Sequence, residues 1–503
     1  MTRVLRLACI LAIFGAASAM GCGGAERHLS GSAGYADHSG AEPMPSPEEA
    51  YSHTGESPVV ESQQDALATF SLDVDTASYT IMRRDLRAGH LPAPQSVRVE
   101  EYLNFFDFSD PGPAPESDTP FAVHLETAPA PFGANKHLLR VGVRAMDVPA
   151  QARPQTNLVF LVDVSGSMAS SEKLGLVQYS LRHLAQNLRP SDRVAIVTYA
   201  GSDAVVLHPT ELRDRTAIDE GIAALRAGGG TNGAAGIRTA YDLAAQHLVE
   251  GGIHRVVLCT DGDFNVGLTG EGLIREVEAR RRQGITLSVF GFGRGNLNDA
   301  FMEQLADRGN GNYGFIDTRQ EANRALGRDL SATLHVVAKD AKVQVEFNAE
   351  LVQSHRIIGY DNRILAYRDF DNDQVDAAEV GAGDYVTAYL EIELRDGVDL
   401  RQEARPLAEV RLRYKDADGD QSYLRTYPFR ASDAVERFAD ATAAFRFGAA
   451  VAEYAEILAG SEHAAGSELA DVARIAEAAI GQREEQREFV ELVRVAQQLS
   501  NAQ

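Results

Sequence analysis

The sequence predicts an α/β chain: a doubly wound parallel sheet inserted in or flanked by an antiparallel β-sandwich, with a helical region at the C-terminus. Three observations carry that expectation. From Asn157 to about Leu330, apolar strands alternate with amphipathic helices across short loops. On both sides of that stretch, strands read with apolar and polar residues in alternation, the pattern of a sheet with one buried face. From Ser432 onward the apolar residues recur at helical spacing.

The elements follow in order. Residues 70–74 suggest a short strand and 78–88 a helix ending near Gly89. Residues 99–106 suggest a second helix, with Tyr102, Leu103, Phe105 and Phe106 as an aromatic face. After a proline-rich break at 110–120, residues 121–125 and 137–143 read as antiparallel strands. In the middle stretch, strands are expected at 158–162, 194–199, 204–207, 255–259, 286–290 and 314–316. Helices are expected at 173–188, 213–225, 234–248, 272–282, 299–307 and 319–330. The unrelieved apolar character of those strands implies burial on both faces. Alternation returns in Val343, Val345 and Phe347, in Val386, Ala388, Leu390 and Ile392, and in Val410, Leu412 and Tyr414. These strands are expected to complete a sandwich begun by 121–148, which makes the α/β unit an insertion. Phe438 and Phe445, Leu469 and Val472, and Phe489 and Leu492 mark three helical faces, expected as a cap on the sandwich.

A chain of 503 residues is too long for one core. The expected divisions are 1–22, 23–65, 66–150, 151–335, 336–430 and 431–503. The first has the form of an export signal, with Arg3 and Arg6 before an apolar run from Leu7 to Ala19 that is too short to span a bilayer. Ala19-Met20-Gly21-Cys22 resembles a bacterial lipobox, which implies diacylation of Cys22 and a lipid anchor in the cell envelope. With Gly23 following the cysteine, the resemblance implies the outer membrane. The alternative is ordinary cleavage after Ala19. Residues 23–65 are rich in Gly, Ser, Ala, Pro and Glu and are expected to be a disordered tether. The net charge of −24 argues against a nucleic-acid partner, because an acidic surface repels phosphate. Cys259 is then the one cysteine of the folded part and is expected as a core thiol.

The residues that carry chemistry lie in the middle stretch. An apolar strand runs directly into Asp163-Val-Ser165-Gly-Ser167, placing one carboxylate and two hydroxyls on a tight loop. Two later segments supply further oxygens: Gly228-Gly-Gly-Thr231, in the loop between the second and third long helices, and Cys259-Thr-Asp261-Gly-Asp263, at the end of the fourth strand. In open parallel sheets, ligands sit at the carboxyl ends of the strands where the strand order reverses, so these loops can converge. An all-oxygen set suits a small hard cation, Mg²⁺ first and Mn²⁺ or Ca²⁺ as alternatives. The set Asp163, Ser165, Ser167, Thr231 and Asp261 resembles the metal-ion-dependent adhesion site of von Willebrand factor type A domains. That resemblance implies a metal that grips an Asp or Glu of a partner protein, here an envelope protein. Asp73-Val-Asp75-Thr-Ala-Ser78-Tyr79, Gly89-His-Leu-Pro92 and Val97-Arg-Val-Glu100-Glu101-Tyr-Leu-Asn104 resemble the N-terminal segment of the bacterial YfbK-like family.

Other readings are weaker. Asp73-Val-Asp75 lacks the threonine and the glycine-rich turn of a phosphatase motif, and reads as a capping and salt-bridging pair. Asp416-Ala-Asp418-Gly-Asp420 lacks a distal bidentate Glu and reads as a charged hairpin turn. No His-Glu-x-x-His, Gly-x-Ser-x-Gly or Walker lysine is present. A metal-dependent hydrolase using the same site, with Asp263 as base, is the alternative to a binding module. Hydroxyl ligands without a nucleophile constellation suit gripping better than turnover.

Overall fold

The computed structural model describes residues 49, 51, 55–133, 135–149, 151–230, 233–262, 270–295, 297–329, 334–361, 369–372, 377–417 and 419–502. The expected leader, Cys22 and most of the expected tether lie outside them. The described chain begins with two short strands, β1 (Val60–Glu61) and β2 (Leu67–Ser71), and two helices, α1 (Ala77–Arg87) and α2 (Val99–Asn104). Strands β3 (Phe121–Pro129) and β4 (Lys136–Ala145) follow. The first turn of α1 draws on its neighbour: the Ser78 amide donates to the Glu101 carboxylate at 2.7 Å. Thr76, not Asp75, occupies the N-cap position of that helix. Asp75 Oδ1 accepts the Tyr313 amide at 2.8 Å, so the expected capping residue is a bolt to a distant strand.

The chain then builds the α/β domain. Its strands are β5 (Thr156–Asp163), β6 (Arg193–Tyr199), β7 (Asp203–Glu211), β8 (Ile253–Thr260), β9 (Ile285–Phe292) and β10 (Tyr313–Ile316). Its helices are α3 (Leu174–Asn187), α4 (Arg215–Ala224), α5 (Gly233–Ala245), α6 (Gly270–Arg281), α7 (Asp299–Arg308) and α8 (Arg319–Asn323). The sheet order is β10-β9-β8-β5-β6-β7, parallel except for β7 at one edge. Every residue of β5 is buried. Leu158, Phe160 and Val162 face one helical layer, and Val159 and Leu161 the other. That double burial is why the strand reads as an unbroken apolar run. Cys259 is part of this core, and burial pushes its thiol up to about 12.

The helix expected over 319–330 is shorter. It ends at Asn323 and widens into a π turn over 324–329. A Cβ at Gly327 would lie 2.7 Å from Nε2 of His183, so the turn passes close against α3.

The second β domain comprises β11 (Val336–Phe347), β12 (Val352–Ile358), β13 (Ala378–Gly381), β14 (Tyr385–Leu394), β15 (Pro406–Asp416) and β16 (Ser422–Arg430). One sheet has the order β1-β12-β14-β4-β3, and the other β13-β11-β15-β16 with β2 also on β11. Strand β4 pairs with β14 from Tyr385↔Arg144 to Glu393↔Lys136, and β2 pairs with β11 from Lys342↔Ser71 to Glu346↔Leu67. Strands from before and after the α/β domain thus share both sheets, and that domain is an insertion in the sandwich. The last residues of the expected tether, 55–65, are part of the fold. Val60 pairs with His355, and the Ser57 hydroxyl donates to Asp361 at 2.6 Å. A sequence poor in large apolar residues is ordered here because an open sheet edge supplies its backbone partners. The charged turn expected at 416–420 links β15 and β16, with the Gly419 amide on the Asp416 carbonyl at 3.1 Å; Asp418 lies outside the described residues.

Three C-terminal helices close the molecule: α9 (Ala443–Ala459), α10 (Leu469–Glu477) and α11 (Glu484–Ser500). They cover more than the sandwich. Tyr79, Phe105 and Phe106 of the N-terminal segment join Phe447, Tyr454 and Phe489 in one apolar cluster. Phe106 meets Phe447 and Phe489 edge-on at 5.0 and 5.6 Å, contacts that add about 0.5–1.5 kcal/mol each beyond burial. Among the described residues, no helix is long and apolar enough to cross a membrane.

Two buried arginines fasten these parts together. Arg83 on α1 forks onto Asp317 at 2.6 and 2.8 Å and reaches Glu321 at 3.0 Å and Glu488 of α11 at 3.2 Å. Arg98 binds Glu101 beside it and Asp299 of α7 at 2.6 Å. Burial works against Glu321, but Arg324 and Arg83 outweigh it and hold its carboxyl below the usual range. Replacing Arg83 with Met keeps the stem but leaves Asp317 and Glu321 buried without it. Urea unfolding should show a loss of about 3–5 kcal/mol; a loss below 1 kcal/mol would mean the acids find other partners.

Glu100 behaves in the opposite sense. Burial pushes its carboxyl up to about 7, against a hydrogen bond from the Tyr360 amide. The folded chain keeps this proton through a pH range in which the unfolded chain loses it, so the group's effect on stability worsens as pH rises from about 4.5 to about 7. The melting temperatures of Glu100→Gln and wild type should be close at pH 4.5 and should separate in favour of the variant by pH 7.5. A gap independent of pH would show that Glu100 ionises normally.

Candidate metal centre

Strand order fixes where the site lies. The chain leaves β5 to build β6 on one side and later returns to place β8 on the other. The crevice therefore opens at the carboxyl ends of β5 and β8, which pair in parallel through Val162↔Cys259. Asp163 is the last residue of β5, and Asp261 follows the last residue of β8. Both side chains are buried, as is that of Ser165.

The loop after β5 is a closed hydrogen-bonded turn. The Ser165 amide donates to Asp163 Oδ1 at 2.8 Å, and the Ser165 and Ser167 hydroxyls meet at 2.9 Å. Alternate positions in the motif thus bring two hydroxyls to one point. The glycine-rich loop is tied to this turn at two places. The Gly228 amide donates to the Val164 carbonyl at 2.7 Å, and the Gly166 amide to the Gly229 carbonyl at 3.1 Å. Gly229 has φ +88°, a conformation that a residue with a Cβ adopts only under strain. Thr231 and Asp263, both singled out in the sequence, lie outside the described residues.

Asp163 is heavily furnished with donors. Its Oδ2 accepts the Tyr199 hydroxyl at 3.2 Å and the Thr260 hydroxyl at 3.3 Å. Burial nevertheless pushes its carboxyl up to about 6. The Ser165 amide opposes that shift, and the nearby Asp261 charge reinforces it. Two buried carboxylates thus interact where water screens poorly, a setting that favours a positive charge nearby.

Three residues here were not singled out in the sequence. Tyr199 ends β6, the strand beside β5. It is held by the close approach of α5, where a Cβ on Gly236 would sit 2.7 Å from that of Tyr199. Thr260 ends β8. Both belong to strand ends at the crevice, and a search of all strand termini would have found them. Lys173, just before α3, places its ammonium 2.8 Å from Asp261 Oδ2; nothing in its local sequence separates it from a solvent-facing lysine.

Comparison with known proteins agrees with this architecture. Residues 157–327 match the family model "von Willebrand factor type A domain", residues 45–140 match "von Willebrand factor", and residues 332–499 match "Uncharacterized protein YfbK, C-terminal". Type A domains mediate protein–protein interaction. The chain is 40% identical to YfbK of Escherichia coli (strain K12), over 89% of its own length and 80% of that protein's. It is 35% identical to the magnesium-chelatase 60 kDa subunit of Cereibacter sphaeroides, but over only 25% of this chain and 23% of that one. Among solved structures, a von Willebrand factor type A protein from Catenulispora acidiphila covers 76% of this chain and 91% of its own, at 19% identity and a TM-score of 0.45. Identity of this order to YfbK, sustained along nearly the whole chain, shows that the protein belongs to the YfbK family, with a type A domain followed by a YfbK C-terminal domain.

Proposed function

We propose that this protein is a Mg²⁺-dependent binding module of the bacterial cell envelope, in which the bound metal grips an Asp or Glu of a partner protein. The observation that supports this reading is the pair of hydroxyls on Ser165 and Ser167, 2.9 Å apart on a loop that also carries the buried Asp163. The donor chemistry fits a hard cation. The hydroxyls are neutral oxygen donors, and Asp163 and Asp261 supply negative charge. Asp163, Ser165, Ser167 and Asp261 would hold the ion together with Thr231, and Mn²⁺ or Ca²⁺ would suit the same oxygens. Bound there, the metal supplies an electrophilic position for a carboxylate. The chain's own contribution is orientation: Tyr199 and Thr260 donate to Asp163, and the Gly228 and Gly229 contacts tie the glycine-rich loop to the turn after β5. Cys22 would carry the lipid anchor, with residues after it leading to the folded part and the outer membrane as its destination.

Calorimetric titration of the folded chain with Mg²⁺ and Mn²⁺ tests the metal. Ser165→Ala should abolish binding, and Tyr199→Phe, which removes a donor to Asp163, should weaken it by about 10–100-fold. Full-affinity binding by Ser165→Ala would remove the reading. Crosslinking in cells tests the partner. Adducts formed by wild type in Mg²⁺ and lost in Asp163→Ala are expected, whereas adducts indifferent to that change would place the contact elsewhere.

A further inference from the structure

We infer that Lys173 is a built-in rival of the metal: its ammonium holds Asp261 until a divalent ion displaces it. The inference rests on the proposed metal site and names its regulation. Lys173 Nζ lies 2.8 Å from Asp261 Oδ2, and the carboxylate is fully buried while the lysine side chain is 12% exposed. A buried carboxylate in poor solvent needs a positive partner, and two candidates then compete for one oxygen-bearing group.

The lysine's position is fixed by the backbone around it. Its stem passes directly over Gly293, the residue after β9, where a Cβ would overlap both its Cγ and its Cε. Gly293 has φ +82°, so the chain here both requires glycine and leaves a slot for the lysine. The N-terminal segment holds that slot in place. Arg84 of α1 donates to the Gly293 carbonyl at 3.4 Å, and the Gly295 amide donates to Glu49 at 3.0 Å. Glu49 in turn pairs with Arg84 at 2.7 Å. The lysine therefore reaches Asp261 through a groove shaped by three parts of the chain.

Displacement has a clear direction. An ion held at this site with Asp163 and Asp261 as its charged residues would repel an ammonium at hydrogen-bonding distance from Asp261. Lys173 would move along its slot toward solvent, at the rim where a partner carboxylate arrives. The same side chain would thus weaken metal binding when the protein is alone and offer a cation to the incoming acid when the metal is bound.

The test uses the folded chain, Mg²⁺ and Mn²⁺, and Lys173→Met, which keeps the stem and removes the charge. There are two readouts. Calorimetry should show metal binding about tenfold tighter in Lys173→Met. Amine labelling of the wild type, read by mass spectrometry, should find Lys173 protected in EDTA and modified in saturating Mg²⁺. If the wild type binds metal while Lys173 stays protected and Lys173→Met binds no tighter, the rivalry is wrong and the metal site stands. Should neither chain bind metal, the site itself falls, and the lysine is a fixed counterion. The labelling arm needs no variant, so it decides the matter even if Lys173→Met fails to fold.

Discussion

The architecture depends on burying the charges of two arginines. Arg83 and Arg98 lie in a segment of modest size that has no sheet of its own, yet their guanidinium groups reach Asp317, Glu321 and Asp299 of the inserted domain. Forked guanidinium–carboxylate pairs impose geometry as well as attraction. Their removal from water is costly, and that cost is offset only when every partner is in place. The N-terminal segment, the α/β domain and the last helix therefore take up one arrangement together. The aromatic cluster around Phe106, Phe447 and Phe489 closes the same junction with apolar contacts.

That junction bears on the metal centre through α1. The arginine beside Arg83 supports the exit of β9, and the exit of β9 carries the slot for Lys173. A site that looks self-contained in the motif is thus braced from a part of the chain outside the α/β domain. Asp163 shows the same economy on the other side: Gly236 lets α5 sit close to Tyr199, and Tyr199 holds the carboxylate.

Much of this was legible in the sequence. Strands buried on both faces have no polar register to hide them, so β5, β8 and β9 stand out, and the alternating strands around them give away the sandwich. The loop Asp163-Val-Ser165-Gly-Ser167 was legible because its geometry is local. What was not legible depends on partners far along the chain. Residues 55–65 look like a tether because their order comes from the edge of β12 and from Asp361, not from their own composition. Asp75 looks like a cap because nothing local shows that Tyr313 takes its carboxylate. The π turn at 324–329 follows from the fit of Gly327 against His183, a contact between helices that no periodicity encodes. Lys173 needs the slot over Gly293 to be recognised at all.

The nesting of one domain within another sets an order of assembly. Strand β4 waits for β14, and β2 for β11, and the whole α/β domain separates each pair. Closing so long a loop in a floppy chain is entropically unfavourable and slow. A contiguous α/β domain that condenses first shortens the effective gap between those strands. Until it does, β2 and β4 present bare edges, and the time spent in that half-built form is when this chain is most exposed to sticking to its neighbours.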